Sequence, residues 1–228
     1  MWYPTMLKFI RMKGRLQYME FMDDVYALQI KIPNDLTDVH LPDPDILRYY
    51  KDYDDRVIYI DDDINDDTFE ITKQIYEYNR ADKGIPVEER KPIVIFIYSY
   101  GGDVHQGYAL ISAITASKTP VYTVNAGIAM SMGALLLLAG HKRYAMKYST
   151  AMLHPGSSSQ SGDYEQMQES QKNYKRTVDM MADYIIERTG MAKKKLSSNW
   201  TRDWYLSSTD QKSLGLVQEI IDNLEEVF

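Results

Sequence analysis

Ser131 and His154 are the residues whose types and surroundings best suit chemistry. Ser131 stands in Met130-Ser131-Met132-Gly133-Ala134, where a β-favouring run (Val121 to Val124) and small residues (Ala126, Gly127, Ala129) give way to an apolar block ending at Ala139-Gly140. This pattern predicts a strand, a tight turn and a buried helix. The N-terminus of such a helix offers unpaired backbone N–H groups and the positive end of the macrodipole, both favourable to an oxyanion. The small residues let a substrate carbonyl come close to the backbone. The plainer reading of an isolated serine at this place is a helix cap.

A base is needed to activate a serine, and the chain has only four histidines, His40, His105, His141 and His154. His154 ends the β-type run from Tyr148 and is stopped at once by Pro155-Gly156, so its ring is held by scaffold yet open to a cleft. His141, followed by Lys142 and Arg143, reads as a solvated residue after the helix, and His40 lies in an acidic, proline-containing region. His105, soon after Gly101-Gly102, is a weaker competitor for the same cleft.

The glycine pair falls between a strand and a helix but lacks the spacing of dinucleotide and P-loop motifs. If it faces Ser131, a backbone N–H there and that of Met132 form a two-donor oxyanion hole, worth about 3 to 4 kcal/mol per donor. Asp203 lies among aromatics in Trp200-Thr201-Arg202-Asp203-Trp204-Tyr205, where a buried carboxylate needs a partner. An imidazole N–H is one partner and Arg202 is another.

The elements that position these groups alternate. Arg56 to Ile60 reads as the first core strand, about Asp67 to Asn79 as a helix, Lys83 to Lys91 as a charged loop, and Ile93 to Ile97 as a strand covered on both faces. Val104 to Ala116 has helical spacing, which with its neighbours implies right-handed βαβ units and an α/β fold. After the polar turn Gly156 to Gly162 comes a long helix with a seam at Tyr164, Met167, Gln171, Tyr174, Val178, Met181 and Ile185, with Asp163 and Gln166 spaced as a cap pair and Thr189-Gly190 at its end. Such a seam suits either the domain core or a subunit contact. A helix from Ser208 to Leu214 and a strand from Leu216 to Ile221 complete the pattern.

The 228 residues, 44% of them hydrophobic, suit one globular domain with a sizeable core, or one domain plus a short arm. No apolar run approaches membrane-spanning length, and the start does not read as a secretory signal. Zero cysteines exclude disulfides and a cysteine nucleophile and fit a reducing, cytoplasmic setting. The net charge of −7 argues against general nucleic-acid affinity. Lys8, Arg11, Lys13 and Arg15 before an acidic tract (32–45) suggest a solvated arm or loop. Asp61-Asp62-Asp63 and Asp66-Asp67 lack the EF-hand spacing, so no metal is expected there.

These motifs together resemble the ClpP family, the proteolytic subunits of the Clp protease. Ala129-Met130-Ser131-Met132-Gly133-Ala134, the Leu-rich block to Gly140, and Met152-Leu153-His154 resemble its serine-to-histidine core. Ile97 to Gly102 is similar to its Ile-Asn-Ser-Pro-Gly-Gly, and Thr201 to Ser207 to its Arg-Asp-aromatic-Leu-Ser segment, with Gly215-Leu216-Val217 following. Tyr100 stands where the family has proline, and His154 is followed by Pro-Gly rather than Gln-Pro.

The resemblance spans about Asp45 to Ile221. It implies a ClpP/crotonase-like fold with a protruding handle helix, residues 1–45 as an N-terminal extension and 46–228 as a serine peptidase domain. It further implies Ser131 as nucleophile, His154 as base, Asp203 as its orienter, and Gly102 and Met132 as oxyanion-hole donors. The implied activity is hydrolysis of unfolded polypeptides through an acyl-enzyme, inside a chamber of two stacked heptameric rings. An AAA+ unfoldase of the ClpX or ClpA type is the implied partner and the user of ATP; this chain would need no cofactor or metal, and no nucleic acid or membrane. A divergent, phage-type member is one form the resemblance allows. A crotonase-type acyl-CoA enzyme and a catalytically silent ring subunit are the rival readings.

Overall fold

The apolar run from Ile93 becomes a strand because nearly every side chain on it is covered, as a parallel strand requires. In a computed structural model, which describes residues 7–12, 15–20, 44–157, 159 and 161–228, the chain divides into two units after Arg56. His40, Lys13 and residues 32–43 of the acidic tract lie outside the described residues, as do Ser158 and Gln160 of the polar turn. The first unit holds β1 (Leu7–Met12) paired antiparallel with β2 (Arg15–Glu20), and α1 (Pro44–Asp55), a helix the sequence pattern did not announce.

The second unit is an α/β domain on a seven-stranded sheet. Its strands are β3 (Val57–Ile60), β4 (Ile93–Ser99), β5 (Val121–Met130), β6 (Lys142–Met146), β7 (Thr150–Leu153), β8 (Trp204–Ser207) and β9 (Glu219–Ile221). The order is β3-β4-β5-β6-β9, with β7 joining β5 and β8 joining β7; every pairing is parallel except β7 with β8. The crossovers carry α2 (Thr68–Ala81), α3 (Val104–Ala116) and α4 (Met132–Ala139), which pack in series, α2 on α3 and α3 on α4. All eight residues of α4 are buried, as its uniform hydrophobicity demands. The other face of the sheet gathers Val57, Val94, Phe96, Val124 and Tyr144, closed by Ile221 and Val227.

The expected end of β5 at Val124 is corrected, since the strand runs on to Met130. Small residues there do not turn the chain; they admit neighbours, and a Cβ on Gly127 would meet the Tyr98 ring at 3.0 Å. The tight turn is deferred to Ser131.

The long helix α5 (Tyr164–Thr189) begins with the cap pair the sequence suggested. Asp163 Oδ1 accepts from the Gln166 N–H at 2.9 Å and Gln166 Oε1 accepts from the Asp163 N–H at 3.2 Å. Gly190 closes it in the left-handed conformation, φ 71°. Of its seam only Met181 and Ile185 are buried, while Tyr164, Met167 and Gln171 are exposed. The domain covers the C-terminal half of the seam and leaves the N-terminal half bare. Then follow α6 (Lys193–Ser197) and α7 (Ser208–Ser213).

Candidate active site

Ser131 is placed by main chain before its side chain meets anything. Met130 pairs with Met152 across β5 and β7, and the next N–H, that of Ser131, donates to the Met152 carbonyl at 2.8 Å. The backbone then swings into α4 at φ 53°, ψ −121°, a conformation that costs a non-glycine residue about 1–3 kcal/mol. The Ser131 carbonyl accepts from Ala134 and Leu135, which anchors the turn. Although Ser131 is the N-cap, its hydroxyl makes no capping bond. It faces His154, with 2.8 Å between Oγ and Nε2.

His154 is the first residue after β7, as its strand-end pattern suggested. The antiparallel register of β7 with β8 pairs Leu153 with Trp204, so the next facing positions are His154 and Asp203. Their side chains meet with Nδ1 3.3 Å from Asp203 Oδ1. A neutral imidazole protonated on Nδ1 satisfies both contacts, donating to the carboxylate and accepting the serine proton. The expectation that Asp203 is embedded among aromatics is corrected: its side chain is 52% exposed. Tyr205 points out to solvent as well. Water, not only the imidazole, solvates this carboxylate, and 3.3 Å is long for a charged hydrogen bond.

The glycine pair does reach the serine. A Cβ on Gly101, at φ 109°, would lie 2.7 Å from the Ser131 Cβ, so only glycine allows the two turns to touch. Gly102, at φ 144°, is pressed against the other side by the chain at Ile64, whose carbonyl would be 2.2 Å from a Cβ there. That strap is itself tied down, Ile64 N–H to the Gly101 carbonyl and Asp103 N–H to the Ile64 carbonyl, each at 2.7 Å.

Gly102, Ser131, Met132 and His154 line one cavity of about 220 Å³. Its apolar wall includes Leu135, Leu153, Met181 and Ile185. The two buried residues of α5 are thus wall residues of the site. Met132 opens α4, so its N–H has no acceptor within the helix. His105 lies on the exposed start of α3 and does not line the cavity. His141 is exposed as a residue, yet its Nδ1 accepts the Val121 N–H at 2.9 Å, a structural use the solvated reading missed. Among the described residues no group of three or more His, Asp or Glu is arranged to hold a metal ion.

Sequence reasoning also missed Arg188, in the last turn of α5. Its Nε donates to the Leu138 carbonyl at 2.7 Å and its Nη2 to the Gly140 carbonyl at 2.7 Å, closing the C-terminal end of α4. Tyr184, one turn earlier, donates to the Leu135 carbonyl at 3.3 Å, and burial pushes its phenol far above the usual tyrosine range. A basic residue in a final helical turn is the only sequence signal for the first of these.

A family model described as Clp protease matches residues 46–224. The ATP-dependent Clp protease proteolytic subunit 2 of Bacillus licheniformis is 32% identical over 170 residues, covering 73% of this chain and 86% of its own. The ATP-dependent Clp protease proteolytic subunit of Deinococcus radiodurans is 32% identical over 136 residues, 59% of this chain and 67% of its own. The structure of a ClpP1 point mutant from Listeria monocytogenes superposes with a TM-score of 0.68 at 27% identity, covering 78% of this chain and 98% of that one.

Proposed function

The chain belongs to the Clp protease family, and from that premise we propose that it is a serine endopeptidase that hydrolyses unfolded polypeptides through an acyl-enzyme on Ser131. The contact that carries this reading is the 2.8 Å approach of His154 Nε2 to a serine hydroxyl left uncommitted by its own helix. In the first step Nε2 takes the hydroxyl proton as Oγ attacks the peptide carbonyl. The backbone N–H groups of Gly102 and Met132 take the oxyanion, helped by the N-terminal end of α4. The imidazolium then protonates the leaving amine. Water attacks the ester with His154 again as base, and Ser131 is released. Asp203 holds the Nδ1 proton and stabilises the imidazolium between steps.

The apolar wall of the cavity suits an apolar side chain beside the scissile bond. In this reading residues 46–228 are the peptidase domain and residues 1–45 an N-terminal arm. The bare half of the α5 seam supports assembly into two stacked heptameric rings, with an AAA+ unfoldase of the ClpX or ClpA type feeding the chamber and using the ATP. The chain itself uses no cofactor and works in the cytoplasm; no described helix is long and apolar enough to cross a membrane.

A fluorophosphonate probe tests the centre directly. The proposal expects covalent labelling of Ser131 and turnover of casein, both abolished in Ser131→Ala with the particle mass unchanged. A crotonase-type enzyme would need the paired N–H donors but not the serine, so an unlabelled Ser131 would favour it. An unlabelled, inactive but ring-sized particle would instead mark a silent subunit.

A further inference from the structure

β5 has two successive neighbours on one side. It pairs with β6 at Tyr122 to Asn125 and with β7 at Ile128 to Met130, so the sheet forks beside Asn125. At a fork the ladder bonds to one strand have ended before those to the next begin, and backbone pairing alone defines the second strand poorly.

Two buried amides occupy this junction. Asn125 and Gln211, the latter from α7, are both 0% exposed. Asn125 Nδ2 donates to Gln211 Oε1 at 3.0 Å and to the Thr150 carbonyl at 3.1 Å, while Asn125 Oδ1 accepts from the Gly127 N–H at 3.2 Å. Gln211 Nε2 donates to the carbonyls of Ser149 and Leu206, each at 3.3 Å. Turning either amide over would set carbonyl oxygen against carbonyl oxygen, so the partners fix both orientations.

The carbonyls they hold lie at the start of β7 and near the end of β8. His154 follows β7 directly and Asp203 directly precedes β8, whereas Ser131 follows β5. The amide pair therefore ties to β5 the two strands that deliver the imidazole and the carboxylate. We propose that Asn125 and Gln211 are positioning residues for the centre, setting where β7 and β8 lie against β5 and so the reach from His154 to Ser131. The inference rests on the hydrolytic reading of that centre. Neither amide touches substrate; both act through strand placement, where an error of about 1 Å can cost about 100-fold in rate. Apolar side chains of the same volume would fill the space without fixing a direction.

The test is Gln211→Met, which keeps the volume and removes the bonds, with Ile75→Val on α2 as a destabilised control remote from the fork. The readouts are the rate of fluorophosphonate labelling at Ser131, kcat and KM on a short peptide, native particle mass and melting temperature. Gln211→Met should label about 10-fold more slowly and lose about 10-fold in kcat, with KM within 2-fold and mass unchanged, while Ile75→Val labels at the wild-type rate. Wild-type labelling in Gln211→Met, with only its melting temperature lowered as in the control, overturns the inference and leaves the hydrolytic reading standing. Failure of the unmodified protein to label overturns both. Should Gln211→Met not assemble, Gln211→Asn decides by the same rule, since it keeps an amide but withdraws it by one methylene: slowed labelling at unchanged mass supports the inference, an unchanged rate sinks it.

Discussion

The N–H of Ser131 donates to the carbonyl of Met152, two positions before His154, so the two side chains are brought together by strand pairing before they meet each other. The Oγ to Nε2 distance of 2.8 Å then reflects this register together with the placement of β7 against β5. The same holds for His154 and Asp203 through β7 and β8. Because side chains alternate along a strand, a slip of one residue between β5 and β7 would turn the imidazole from the serine, and one between β7 and β8 would turn the carboxylate from the imidazole.

Replacing Ser131 should separate activity from stability. Both Ser131→Ala and Ser131→Gly should lose about 10⁴-fold or more in peptide turnover. Ser131→Gly should unfold at higher urea than Ser131→Ala, by about 1–2 kcal/mol, because glycine accepts φ 53° without strain. Equal unfolding midpoints would mean that the turn is not strained.

Asp203→Asn should cost about 10³- to 10⁴-fold in kcat, the scale seen when the orienting acid of a serine–histidine pair becomes an amide. Its stability should change by less than about 1 kcal/mol, as the carboxylate is half exposed and its contact with the imidazole is open to solvent. Kinetics and a urea melt on one preparation check both halves. A large loss of stability would contradict the exposed placement.

Gly102→Ala should be destabilised by about 2 kcal/mol or more and should label slowly with fluorophosphonate. The added methyl would run into the Ile64 carbonyl, backbone that is tied at both its N–H and its oxygen. An active, stable Gly102→Ala would show that the strap moves freely.

Cleavage preference should follow the cavity wall. Peptides with an apolar residue before the scissile bond should exceed their aspartate counterparts in kcat/KM by about 100-fold, since a carboxylate pressed on the wall of Leu135, Leu153, Met181 and Ile185 would lose water to apolar surface. Met181→Ala should shift preference toward larger aromatic side chains by about 10-fold. Profiling a peptide library with both proteins reads this directly, and an unchanged profile would remove Met181 from the specificity wall.

His141 predicts a pH dependence. Partial desolvation of the ring foremost, although the residue as a whole is exposed, and the Arg188 charge near it hold its imidazole below the usual 6.5. The unfolded chain therefore binds this proton at a higher pH than the folded one. Its contribution is intact above pH 6.5 and is lost as the pH falls through 6.5 toward the folded value. His141→Asn keeps an acceptor for the Val121 N–H and has no proton to gain, so its urea midpoint should fall less between pH 8 and about pH 5.5. Parallel slopes for the two proteins would refute this.

What the sequence made legible was local. The run from Ile93, the stop after His154 and the Asp163–Gln166 cap pair each act within a few residues, and the structure follows them closely. What it hid depends on partners distant in the chain. The extension of β5 to Met130 is caused by β7, and the use of His141 by Val121. The Asn125–Gln211 contact joins β5 to α7, so neither amide stands out in its own segment. Asp203 misled for a related reason: its aromatic neighbours in sequence do not bury it, as its own side chain and that of Tyr205 are both exposed.

The contact between the Gly101 and Ser131 turns bears on how such a chain can vary over generations. Any side chain acquired at position 101 would displace the serine, whereas loss of the serine would leave the glycine still demanded by its own φ of 109°. The dependence runs one way: the codon for this serine cannot persist without that for the glycine, while the glycine can outlive the serine.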